Sequence, residues 1–216
     1  LIPRTSAFLR AHQAGDGSWH EDQGSEFATI RYDDLITTCF IAWALTGAGE
    51  ASGNAFDYIQ SNLDAGDSTY AMAMCANALA TGAPSGSFTK QMLDELVSRA
   101  KEDGDVVYWE VGESQGGDMD FYYGGGDGTN LEVTALAVLA LLESGRSPDL
   151  VSKALGYLTS KKDSFGNWGT THATILTLKA FVKSLTALTQ EASGTVQVGI
   201  NGVQEPPLAI TADNQD

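Results

Sequence analysis

The chain repeats itself, and that repeat limits its folds more than any other feature. Four segments superimpose without gaps when aligned on a small residue near the start of each: Leu35–Gly49, Ser68–Gly82, Leu131–Gly145 and Thr171–Ser184. The aligned position reads Thr38, Ala71, Thr134 and Thr174, and six residues on it reads Ala44, Asn77, Ala140 and Ala180. The segments are apolar almost all round and carry small residues at close spacing, the pattern of a helix buried on most sides. The first three end in Gly49, Gly82 and Gly145, residues able to take the left-handed turn that stops a helix.

A more amphipathic stretch precedes each segment: roughly Pro3 to His12, Asn54 to Leu63, Phe88 to Glu102 and Pro148 to Lys161. Three of these share an apolar, aromatic cluster, in Ala7-Phe8-Leu9, Phe56-Asp57-Tyr58-Ile59 and Leu155-Gly156-Tyr157-Leu158. Charges fall on the intervening face, as in an outer helix packed on an inner one. The chain therefore alternates outer and inner helices in αα-hairpins, at spacings of 33 to 63 residues between equivalent positions. A bundle would not separate buried from half-buried helices in strict alternation, so a helical ring or solenoid is the better reading.

Two interruptions stand out. The segment from Asp103 to Gly128 is long, glycine-rich and acidic, with Asp105, Glu110, Glu113, Asp118, Asp120 and Asp127, and reads as a solvated loop. Asp118 and Asp120 offer hard oxygen ligands, but no twelve-residue calcium-loop pattern accompanies them. After Ser184 the character changes: Thr195 to Val203 alternates apolar and polar residues and reaches Asn201-Gly202, a strong hairpin signal. Leu208-Ala209-Ile210 would begin the return strand, beyond Pro206-Pro207.

Charge narrows the partners. The net charge is −16, from 28 acids against 12 bases. So negative a surface repels phosphate backbones and anionic lipid, which disfavours nucleic acid and membrane surfaces. No stretch approaches the ~20 apolar residues of a membrane span. Leu1-Ile2-Pro3 is not the start of a signal peptide, so the chain reads as beginning inside a larger protein. Cys39 and Cys75 sit in apolar helical runs without a CxxC or Cys/His cluster, and read as small buried apolar residues.

Gln13-Ala-Gly-Asp-Gly17-Ser-Trp19 has the glutamine, glycine and tryptophan spacing of the QW repeats in α/α-toroid terpene cyclases, and Phe165-Gly166-Asn-Trp168 repeats the last two. There the indole caps the gap between an outer helix and the next inner one, while glycine permits the turn. The more specific likeness lies downstream. Asn130 to Leu142, Lys162 to Ala180 and the earlier Tyr70 to Ala80 resemble the last helical pairs of the thioester-containing domain of the α2-macroglobulin and complement family. The resemblance runs from about Ala7 to Leu188, and the β tail resembles that family's return into a flanking β-sandwich. It implies an all-α, α/α-toroid domain over residues 1–190, partial at about four hairpins where the family's ring has six, and a β tail over 191–216.

The resemblance also implies a function. In the family a Cys-Gly-Glu-Gln motif joins the cysteine sulfur to the glutamine acyl group, opening exposes that thioester, and a target hydroxyl or amine is acylated. Here Cys39 is followed by Phe40 and Cys75 by Ala76, so neither is that cysteine. The expected role is thus a thioester-free part of a protein for protease trapping or covalent target capture, not an enzyme. It would be extracellular or periplasmic, and partnered by the parent's other domains and, through the parent, by target proteases or surfaces. Some complement members use a loop histidine as first acyl acceptor; His12, His20 and His172 are this chain's histidines. His20 lies in the corresponding loop without aligning, and His172 stands where the family has glutamine, at the start of the last inner helix. None is assigned as catalytic, and no cofactor or metal site is assigned. The alternative is an isoprenoid enzyme on the same toroid. A class II cyclase needs an Asp-x-Asp-Asp acid, which Asp33-Asp34 and Asp118-Met-Asp120 each fall short of. A prenyltransferase needs an aspartate, cysteine and histidine on zinc, which no constellation here suggests.

Overall fold

The structure, a computed structural model, describes residues 2–20, 34–111, 127–187, 194–201, 203–204 and 206–210. Helices α1 (Ile2–Ala11), α2 (Asp34–Gly47), α3 (Ala55–Asn62) and α4 (Thr69–Gly82) come first. Next are α5 (Ser87–Ser98), the strands β1 (Lys101–Asp103) and β2 (Val106–Tyr108), and α6 (Asp127–Ser144). After them come α7 (Pro148–Ser160) and α8 (Thr171–Ala187), then the strands β3 (Gly194–Val196), β4 (Gly199–Ile200), β5 (Val203–Gln204) and β6 (Leu208–Ile210). Two compact units divide the chain, residues 1–181 and 182–216.

In the first unit the alternation of inner and outer helices holds. Inner helix α2 packs on α4 and α4 on α6, while α3 lies against α2, α5 against α4, and α7 against α6. Outer helices bury one stripe: Thr89, Met92, Leu93 and Leu96 on α5, and Val151, Ala154, Tyr157 and Leu158 on α7. Inner helices differ among themselves. Every residue from Thr69 to Ala80 on α4 and from Leu131 to Leu141 on α6 is buried. By contrast α2 leaves Phe40 exposed, and α8 leaves Ile175 and Leu178 exposed while burying only Ala173, Thr177, Ala180 and Ser184. Burial on most sides, expected for all four segments, is therefore true of the middle pair. The helices α2 and α8 instead keep an exposed apolar flank.

Three further expectations change. The third outer helix stops at Ser98 instead of Glu102, because Lys101–Asp103 pairs antiparallel with Val106–Tyr108 around Gly104 at φ +59°. The start of the acidic segment is thus a hairpin, not a solvated loop, and β2 lies against α7. The rest of that segment, Asp118 and Asp120 included, lies outside the described residues. Gly49 and Gly145 do take positive φ, at +75° and +63°, but Gly82 does not. Gly82 is required for room instead: a β-carbon there would collide with the Phe56 ring, which crosses it from α3.

The second unit contains two antiparallel pairings. Strand β4 meets β5 across a turn with Asn201 at φ +52°, and β3 meets β6, with Val196 opposite Leu208. The Asn201 turn and the Leu208 return strand are where the alternation placed them.

Candidate functional site

Three tryptophans build the same joint at the start of three inner helices. The backbone N–H of Trp19 donates to Thr38 Oγ1 at 3.0 Å, and its indole N–H donates to the Leu9 carbonyl of α1 at 2.8 Å. Trp109 donates in the same way to Thr134 Oγ1 at 3.0 Å and to the Leu96 carbonyl of α5 at 2.7 Å. Trp168 donates to Thr174 Oγ1 at 3.0 Å and to the Leu158 carbonyl of α7 at 2.6 Å. The threonine of each repeat is therefore the acceptor for the residue that plugs the gap, while the indole holds the outer helix. The second repeat has Ala71 at that position and no tryptophan; there Ser68 Oγ accepts from the Ala71 N–H. Trp109 is the member that the sequence did not reveal. It precedes its threonine by 25 residues, against 19 for Trp19, so no fixed spacing exposes it.

Two polar clusters sit at these joints. In the first, the Ser18 N–H and hydroxyl both donate to Asp16 Oδ1, at 3.0 and 2.7 Å. Those bonds, with the charge of His20, hold the Asp16 carboxyl below the usual range. Ser18 Oγ also lies 2.9 Å from His20 Nε2, and His20 Nδ1 lies 2.8 Å from Asp34 Oδ2 at the start of α2. The imidazole is half-exposed with both nitrogens engaged, so it presents no free lone pair as nucleophile or base in this arrangement. Asp34, weighed for cyclase chemistry, is here the partner of a histidine; Asp33 lies outside the described residues.

The second cluster centres on Glu132, which the sequence reading passed over. It is 1% exposed on inner helix α6. Thr170 caps α8, accepting from the Ala173 N–H at 3.0 Å and donating its own hydroxyl proton to Glu132 Oε1 at 2.7 Å. Among the described residues Glu132 Oε2 is buried without a hydrogen-bond partner. Burial pushes this carboxyl above its usual range, while the Thr170 hydroxyl, the charge of His172 and the Ala173 N–H pull it back. The signal was legible: a lone carboxylate inside the apolar run from Leu131 to Leu142. His172 itself is exposed in the first turn of α8. His12 is exposed just beyond α1, its Nδ1 2.8 Å from the Phe8 carbonyl.

The cysteines correct the sequence reading. Cys39 on α2 and Cys75 on α4 are fully buried, as small apolar residues would be, but they form a disulfide with Cα atoms 4.8 Å apart. Because α2 and α4 are adjacent inner helices, two cysteines 36 residues apart meet across one interface. Among the described residues no group of His, Cys, Asp or Glu is arranged to hold a metal ion, and no helix is long and apolar enough to cross a membrane.

A comparison with curated proteins gives no match. The family description does match: the A-macroglobulin TED domain, the thioester-containing domain, aligns over residues 1–183. Among the described residues that span includes the eight helices, except for the last four residues of α8, and the three tryptophan joints. With the helical alternation seen in the first unit, this places the chain in the A-macroglobulin thioester-containing domain family.

Proposed function

We propose that this chain is a thioester-free part of a macroglobulin- or complement-like protein that traps proteases or captures other targets covalently. The observation that carries the reading is the state of the sulfur. Capture needs a cysteine sulfur bonded to a glutamine acyl carbon; a target hydroxyl or amine attacks that carbon, forms an ester or amide, and releases the thiol. Cys39 and Cys75 are bonded to each other, and no Cys-Gly-Glu-Gln occurs in the 216 residues. The role left to the chain is binding and scaffolding without turnover. Its partners are the other domains of the parent protein and, through them, the target. We assign no residue of the chain a catalytic step.

A disulfide persists where the surroundings are oxidising, which supports an extracellular or periplasmic site. Residues 1–190 form the toroid part in this reading, and 191–216 lead toward a following β-sandwich. The test is to treat the full-length protein with labelled methylamine and locate the label by peptide mapping. The reading requires label on a glutamine of a Cys-Gly-Glu-Gln motif outside these residues. Label within them, or none anywhere, contradicts it.

A further inference from the structure

The part of α8 that belongs to the first unit, residues 171–181, is held by little. Its buried residues are Ala173, Thr177 and Ala180, none larger than threonine, while Ile175 and Leu178 are exposed. On α4, by contrast, every residue from Thr69 to Ala80 is buried. Two contacts add to the small residues: Phe181 packs on Trp168 with ring centroids 6.0 Å apart, and the Trp168 N–H donates to Thr174 Oγ1 at 3.0 Å. A helix with so little apolar burial opens locally at lower cost than the rest of the fold. Its few polar contacts therefore decide whether its first turns stay docked.

One of those contacts is ionisable. Thr170 caps α8 by accepting from the Ala173 N–H, and it gives its single hydroxyl proton to Glu132 Oε1 at 2.7 Å. The cap and the carboxyl thus share one hydroxyl. Among the described residues Glu132 Oε2 has no partner, and neither has the buried Thr177 hydroxyl of α8. A neutral carboxyl in this place leaves one polar group unsatisfied, whereas an ionised one leaves a charged oxygen with neither donor nor water. Relief comes only if the carboxylate reaches solvent. Helix α6 is buried throughout from Leu131 to Leu141 and cannot turn outward, so α8 is the element that gives way. The charge acting on the carboxyl is that of His172 in the first turn of α8, and it favours ionisation only while the imidazole is protonated. Helix α4, on another side of α6, carries no acid or base. On α5 and α7, Lys90, Asp94, Asp149 and Lys153 are exposed, and Glu95 is paired with Arg99.

We propose that Glu132 is a proton-controlled clasp on α8: protonated, it holds the Thr170 cap and keeps the first turns of the helix docked; ionised, it releases them. The effect of burial on this carboxyl agrees in sign. Its folded value is raised, so the clasp is fully closed below the reference value of 4.5 and is lost as pH rises through the folded value. The released stretch uncovers Ala173 and Thr177 while α6 and α4 keep their packing. The domain then answers a rise in pH by opening at one helix, short of unfolding.

The experiment is hydrogen exchange of the full-length protein, read by mass spectrometry at a series of pH values from 4.5 upward, with exposure times matched to the intrinsic exchange rate. Peptides covering residues 171–181 report on α8, and peptides covering residues 69–80 of α4 are the internal reference. The expected result is protection of α8 that falls several-fold as pH rises, with α4 constant, and a fall that disappears in Glu132→Gln. His172→Gln removes the charge that favours ionisation and is expected to move the fall to higher pH, which a merely structural residue would not do. Protection of α8 that is independent of pH overturns the proposal, as does a fall that survives in Glu132→Gln or one shared equally by α4. Should Glu132→Gln fail to fold, the His172→Gln variant, at an exposed position, decides: a fall at unchanged pH overturns the clasp.

Discussion

Thr134 and Glu132 lie two residues apart on α6, both buried and polar, yet they carry opposite consequences. Thr134 accepts the backbone N–H of fully buried Trp109, so Thr134→Val keeps the shape and leaves that N–H without a partner. The expected cost is about 1–3 kcal/mol, read as a lower urea midpoint with unchanged slope. Thr38→Val and Thr174→Val should behave alike if the three joints are equivalent; a neutral result at all three would show that the joints do not hold the fold. Glu132 is the reverse case, because its carboxyl is raised above the reference value of 4.5 by burial. The native state therefore binds this proton more tightly than the unfolded chain. That contribution is complete below pH 4.5 and is lost as pH rises through the folded value. Glu132→Gln keeps an acceptor for the Thr170 hydroxyl and cannot ionise. The variant should accordingly gain on the parent sequence between pH 4 and pH 7 in paired urea titrations. If the variant falls further behind as pH rises, the ionised carboxylate is stabilising and the assignment of Oε2 as unpartnered is wrong.

Among the elements, α2 and α4 are the pair on which most depends, since their packing is also crossed by the Cys39–Cys75 bond. Closing a loop of 36 residues restricts the unfolded chain by roughly 4 kcal/mol. Cys39→Ala with Cys75→Ala should lower stability by an amount of that order, measured by urea unfolding of the oxidised parent and the variant. A loss below about 1 kcal/mol would mean that the native bond is strained or the unfolded chain already compact. Which elements the sequence revealed follows from what patterns record. The inner helices were legible because burial imposes small and apolar residues at fixed registers, and the Asn201 turn because it needs a positive φ. The β1–β2 hairpin was not: Lys101-Glu102-Asp103 is wholly exposed and carries no alternation of apolar and polar residues. Nor was the disulfide, because two cysteines inside apolar helices look like core residues until α2 and α4 are seen to adjoin. Glu132 was visible as an isolated charge, but its meaning came only with Thr170, a residue 38 positions away.

At the scale of the whole molecule the sulfur and the family membership meet. A domain of the thioester-containing family aligns over residues 1–183, yet both of its cysteines are consumed in a bond between inner helices. The polar groups at its joints, His20 between Ser18 and Asp34 and Glu132 under Thr170, are engaged in holding loops and helix ends. The proposed function requires that nothing in these residues hold or release an activated acyl group. The most direct measurement is to unfold the chain in iodoacetamide without reductant, before and after methylamine treatment, and to map every cysteine. The account predicts no alkylated cysteine in either sample and one Cys39–Cys75 linked peptide pair, with methylamine changing nothing. Alkylation of Cys39 or Cys75 before reduction, above all if it appears only after methylamine, would contradict it.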